Sequence, residues 1–118
     1  MVEDPKIVNL KDALDRGLGD GAFVQMILED FHHTLPDFLN RFNKAIANNA
    51  LVQLSRDARQ LKGAANNLAA GHIAAAAHFL EQTARQGNLL EARDALDGIK
   101  TAIDEFEHHI SRINWAEI

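Results

Sequence analysis

Apolar residues recur every three or four positions along almost the whole chain, and no segment alternates at the two-residue period of a strand. That pattern predicts helices. A short first helix starts near Asn9, a suitable N-cap, and carries Leu10, Ala13 and Leu14. Gly17-Leu18-Gly19-Asp20-Gly21 reads as a loop in which Asp20 caps the second helix. That helix is long, with a predicted buried stripe of Phe23, Ile27, Phe31, Leu35, Phe38, Phe42 and Ala45. Pro36 falls inside it. The stripe continues in phase across the proline, so one kinked helix is expected rather than two.

Asn48 and Asn49 mark the next turn. The third helix carries Leu51, Leu54, Ala58, Leu61, Ala65 and Leu68 and ends around Ala69-Ala70-Gly71. The fourth uses Ile73, Ala77, Leu80 and Ala84, with Gly87 as its C-terminal residue. Asn88 followed by Glu91 resembles a capping box for the fifth helix, whose stripe is Ala92, Leu96, Ile99, Ile103, Phe106, Ile110 and Ile113. Trp115 lies just past that stripe and either caps the core or lies exposed. Four long amphipathic helices joined by short turns predict an all-α, antiparallel up-down-up-down four-helix bundle with a short extra N-terminal helix. Residues 1–118 read as a single domain, with no linker, repeat or low-complexity segment.

Composition narrows the function classes. A net charge of -5 argues against a general nucleic-acid binder, and no apolar run approaches membrane-spanning length. The absence of cysteine removes disulfides, thiol nucleophiles and thiolate metal sites. The N-terminal Met1-Val2-Glu3-Asp4-Pro5-Lys6 lacks the apolar core of a signal peptide, so a cytoplasmic domain is the expectation. With no exposed heptad seam left over, a monomer is expected.

One stretch carries chemistry: Ala58-Arg59-Gln60-Leu61-Lys62-Gly63-Ala64-Ala65-Asn66-Asn67-Leu68. A glycine inside a helix costs about 1 kcal/mol relative to alanine, which suggests that something approaches the backbone closely there. Counted from the core stripe at about 100° per residue, Arg59 and Gly63 point away from the bundle, Asn66 lies outward and Lys62 on a flank.

This stretch, with the helix order around it, resembles the histidine-containing phosphotransfer (HPt) domain of bacterial phosphorelays, over Ile7 to Ile113. The matching residues are Ala58, Leu61, Lys62, Gly63, Ala64, Ala65, Asn67, Leu68 and Ala70. Downstream, Leu80-Glu81, Ala84-Arg85 and Gly87 resemble the family's usual fourth-helix ending. The resemblance implies a four-helix bundle and a partner that is a response-regulator receiver domain, a hybrid histidine kinase, or both. It also implies a lysine that steadies a phosphoryl group and a glycine that lets the receiver approach.

The resemblance breaks where the phospho-accepting histidine would fall, because Arg59 stands there. A phosphoryl acceptor needs a nitrogen with a free lone pair, and a guanidinium stays protonated and offers none. Ala69 replaces the glycine usual after Asn-Leu, and Gln60 replaces the usual Ser or Thr. The implied reading is a non-enzymatic module, without cofactor or metal, that binds receivers through Arg59, Gln60, Lys62, Gly63 and Asn66. By analogy the receiver's site is an acidic pocket around an aspartate and a magnesium ion, which an outward arginine could enter as a charge partner. The plain alternative treats Arg59 and Lys62 as solvated charges and Gly63 as drift.

Other readings compete. One is an active phosphocarrier, using another histidine or carrying Arg59 as an engineered change from histidine. A second is a structural or scaffolding bundle. His72 and His78 are expected on outer flanks of the fourth helix, without a lysine and glycine following either. Glu29-x-x-His32 and Glu105-x-x-His108 match di-iron spacing but fall off the stripes, and His32-His33 and His108-His109 read as surface pairs. A haem site would need a buried histidine with Met26, which is expected to fill core beside the second stripe. Ser55 and Ser111 show no base-and-orienter arrangement, and no phosphate-cradling glycine loop exists.

Overall fold

The computed structural model describes residues 4–16 and 19–117. Residues 1–3 of the N-terminal segment, and Gly17 and Leu18 of the predicted loop, lie outside them. The described chain is all-helical: α1 (Leu10–Arg16), α2 (Gly21–Ala47), α3 (Leu51–Asn67), α4 (Gly71–Arg85), α5 (Leu89–Ser111) and a short 3-10 turn at Trp115–Glu117. No strand occurs among the described residues. The body measures 46 × 22 × 19 Å, elongated because the long helices lie side by side. α3 packs chiefly on α4, α4 also on α5, and α2 on α3 and α5.

Local sequence explains the helix starts. The Asn9 side chain accepts from Asp12 N–H at 3.1 Å, and Asp20 from Phe23 N–H at 3.1 Å. Asn88 accepts from Glu91 N–H at 3.0 Å, but its own N–H donates to the Thr83 carbonyl, so only half of the expected capping box forms. That second bond belongs to the end of α4. Three helices end in the same way, with a left-handed residue whose N–H, and that of its successor, return to the last turn. Asn49 (φ 53°), Ala69 (φ 56°) and Gly87 (φ 75°) hold that position after α2, α3 and α4. Two of them suit it. Ala69 does not, since its Cβ crowds the backbone there.

The core is filled from every long helix. Phe42, Leu54, Leu61, Ile73, Leu80, Ile99 and Phe106 are fully buried, and the Phe31 and Phe106 rings meet edge to face at 5.5 Å. Ala58, Ala65 and Ala77 are also fully buried, and these small side chains permit the close α3–α4 approach. Trp115 is half-buried and packs against the core.

The α2 and α5 stripes differ most from the sequence expectation, and at the ends of α3 Leu51 and Leu68 are only half-buried. In α2, Val24 and Leu28 are buried, whereas Phe23 is 44% exposed and Ile27 half-buried. Seven residues advance about 700°, within about 20° of two turns, so Val24 shares the bearing of Phe31; eight residues leave Phe23 about 80° away. Met26 is 51% exposed and fills no core, for the same reason. In α5, His109 is buried and not a surface histidine, while Ile110 is only half-buried. His109 lies three residues after Phe106 and four before Ile113, in phase with both. Its Nε2 has no hydrogen-bond partner among the described residues. Pro36 is exposed inside α2, which continues past it as one helix.

The N-terminal segment is fastened to the α3–α4 corner. Asn9 N–H donates to the Ala69 carbonyl at 2.9 Å, and His72 N–H donates to the Lys6 carbonyl at 2.8 Å. Arg16 Nη1 donates to the Asn66 and Asn67 carbonyls at 2.8 and 2.9 Å, satisfying the open end of α3. A Cβ on Gly71 would come within 2.9 Å of the Lys6 carbonyl oxygen, so this glycine is required by close backbone approach.

Candidate functional site

α3 shows its outer face to solvent through Arg59, Gln60, Gly63 and Asn66, all exposed. The buried phase of Leu54, Ala58, Leu61 and Ala65 dictates this, since those residues turn the opposite side into the core. Arg56 is exposed on the same helix, and its only carboxylate, Asp57, is buried and held by Gln53 at 3.0 Å. The outer face of α3 is therefore cationic on a chain of net charge -5.

Arg59 makes no hydrogen bond or close ion pair among the described residues. One turn on, a Cβ built on Gly63 meets nothing within 4 Å. Among the described residues nothing requires a glycine there. Gly98 in α5 has the same open surroundings, so an outward glycine is not by itself a mark of contact. The two differ in the residue one turn before each, Arg59 before Gly63 and Asp94 before Gly98.

On the α2 side, Arg41 Nη1 donates to the Gln60 side-chain oxygen at 3.3 Å. Arg41 also pairs with Asp37 at 2.7 Å and lies over the Phe38 ring at 5.4 Å. An open groove runs between α2 and α3 past Ile27, Thr34, Phe38, Gln60, Ala64 and Leu68. Asp30, Asp37 and Arg41 also line it, and its apolar side continues at the N-terminal end of α2 with Phe23.

On the α4 side, Lys62 turns into the α3–α4 seam. Its Nζ donates to Glu81 Oε1 at 2.6 Å and lies 3.4 Å from His78 Nδ1. The Lys62 side chain is 27% exposed and that of Glu81 only 7%. The Lys62 hydrogen bond holds the Glu81 carboxyl below the usual carboxylate range, against the opposing effect of burial, and the charges of Lys62, Arg85 and Arg59 add to the lowering. Spacing along one helix could not show this pairing. Glu81 was legible only as part of a helix-end pattern, and the lysine beside His78 comes from the neighbouring helix.

The remaining histidines and acids do not gather. His72 and His78 are partly or fully exposed on α4, and His72 Nδ1 is 3.5 Å from Glu105. His32 Nε2 is 3.0 Å from Glu107, not from Glu29. Both Glu-x-x-His motifs therefore point outward, and no group of three or more His, Asp or Glu side chains suited to a metal ion occurs among the described residues. No helix of the described residues is long and apolar enough to cross a membrane.

Comparison with protein families gives this all-helical chain its class. The Hpt domain model matches residues 26–109, a narrower span than Ile7 to Ile113, and the chain belongs to that family of phosphotransfer signalling modules. Neither the curated proteins nor the solved structures contain a match.

Proposed function

We propose that this chain is a phosphorelay module that binds receiver domains of response regulators without accepting phosphate. Arg59, Gln60, Gly63 and Asn66 form the exposed centre of the docking face, with Lys62 on its α4 side. Parts of α2 facing the groove widen it. The observation that carries the reading is Arg59: an exposed guanidinium, free of close partners among the described residues, at the position where the family resemblance calls for the phospho-accepting histidine. It has no lone pair for phosphoryl transfer, yet it suits an acidic pocket as a charge partner. The result is competition for, or sequestration of, a receiver by a module that is not an enzyme. In the same reading the four long helices run up-down-up-down, an order that their three-residue connections favour.

The test has two arms. Binding of a panel of receiver domains is measured, and absence of binding at high micromolar concentration removes the idea. Arg59→His is then mixed with phosphorylated receiver, and a gain of acid-labile phosphate on the chain is expected. A folded Arg59→His protein that gains none favours the scaffold reading. Gly63→Ala should stabilise the helix by up to about 1 kcal/mol while weakening receiver binding, whereas Gly98→Ala should stabilise without that loss.

A further inference from the structure

Lys62 and Arg59 lie three residues apart on α3, yet their surroundings differ. Lys62 is mostly covered and donates at 2.6 Å to Glu81, a side chain only 7% exposed. Arg59 is exposed and, among the described residues, without a close partner. A buried carboxylate that loses its cation is strongly destabilised, so Glu81 holds Lys62 with more force than an exposed pair would show. The lysine's charge is then cancelled inside the seam, and the side chain is drawn toward α4, away from the line of Arg59 and Gly63. His78 closes the other side, with Nδ1 at 3.4 Å from Lys62 Nζ and 3.8 Å from Glu81 Oε1.

We infer that Glu81 is a positioning residue for the docking face: it clasps Lys62 against α4 and neutralises it, which leaves Arg59 as the cation presented beside Gly63. This rests on the receiver-binding reading for its consequence, but the clasp itself is a property of the free chain. A purely structural ion pair and a clasp that sets the charge of the face make opposite forecasts for one substitution. Replacing Glu81 by an uncharged side chain of the same shape damages a structural pair and weakens whatever the chain binds. If Glu81 acts through Lys62, the same change releases one positive charge onto a face that meets an acidic partner, and binding improves.

The probe is a receiver domain that binds the wild-type chain, studied by stopped-flow association at several salt concentrations. Glu81→Gln is expected to tighten binding about two- to fivefold, mainly through faster association, and to steepen the salt dependence. Unchanged or weaker binding by a folded Glu81→Gln protein overturns the inference. A second measurement needs neither partner nor variant. Limiting acylation of the free wild-type chain, read by mass spectrometry, should modify Lys62 several-fold more slowly than the exposed Lys44. Equal rates at Lys62 and Lys44 overturn the clasp even if Glu81→Gln fails to fold. Slow acylation of Lys62, together with no binding to any receiver by the wild type, leaves the clasp standing and removes the receiver reading instead.

Discussion

Ala69 offers the clearest thermodynamic test. It comes just after the last turn of α3 at φ 56°, in the left-handed region, and its N–H donates to the Asn66 carbonyl at 3.1 Å. The next residue, Ala70, returns to Ala65 at 2.9 Å, so the closing turn is complete and the conformation is fixed. A left-handed alanine costs roughly 1–2 kcal/mol through contact of Cβ with the backbone. Glycine removes that cost but brings a freer unfolded chain, worth about 0.4–1 kcal/mol in the opposite direction. The difference predicts that Ala69→Gly stabilises the protein by about 0.5–1 kcal/mol. For a domain of this size that is a rise of about 2–4 °C in Tm. Urea unfolding followed by circular dichroism would measure it, with unchanged m-value showing that the denatured state is unaltered. The same geometry supplies controls. Gly87→Ala, at φ 75°, should lose about 1 kcal/mol. Asn49→Gly should gain less than Ala69→Gly, because asparagine tolerates the left-handed region. A neutral or destabilising Ala69→Gly, or a harmless Gly87→Ala, would refute the argument.

Three further outcomes are expected of the same structure. Gly71→Ala drives a Cβ to 2.9 Å from the Lys6 carbonyl oxygen, so a net loss of about 1 kcal/mol is expected, with faster hydrogen exchange at the His72 amide; unchanged exchange would contradict the close approach. His109→Leu removes a buried ring nitrogen that has no partner among the described residues and should be neutral or stabilising by up to about 1 kcal/mol in thermal melts, whereas a clear loss would mean that the nitrogen is bonded. Because Lys62 lowers the folded-state value of the Glu81 carboxyl, their pairing contributes fully above the ordinary carboxylate range and is lost as pH falls through that lowered value. Between about pH 7 and about pH 3 the wild type should therefore lose more stability than a Lys62→Met/Glu81→Met protein, and equal losses would dismiss the coupling.

Much of this architecture was legible because helical periodicity and capping are local. Asn9, Asp20 and Asn88 each cap the helix expected of them, and the outward bearing of Arg59 and Gly63 is set by the phase of Ala58 and Leu61. Phe23 and Ile27 show how that reading slips. Two apolar series overlap at the start of α2, and only the one with alternating steps of four and three keeps a constant bearing over several turns. His109 was misplaced because a polar residue type outweighed its position in the stripe. The Lys62–Glu81 pair could not be found at all by spacing, since it joins residues from facing helices. Likewise, the hold of Lys6, Asn9 and Arg16 on the α3–α4 corner depends on backbone carbonyls, which carry no residue signature.

That last attachment has a mechanical consequence. The length of chain from Lys6 to Arg16 grips the terminal carbonyls of α3, one turn beyond Gly63, and the His72 amide in the first turn of α4. Tension applied at the front of this polypeptide would reach the His72 amide of α4 first, through Lys6, and then the buried Val8 and the Ala69 carbonyl just past the helix that bears Arg59. An attachment upstream of Lys6 would thus hold a lever on the α3–α4 corner.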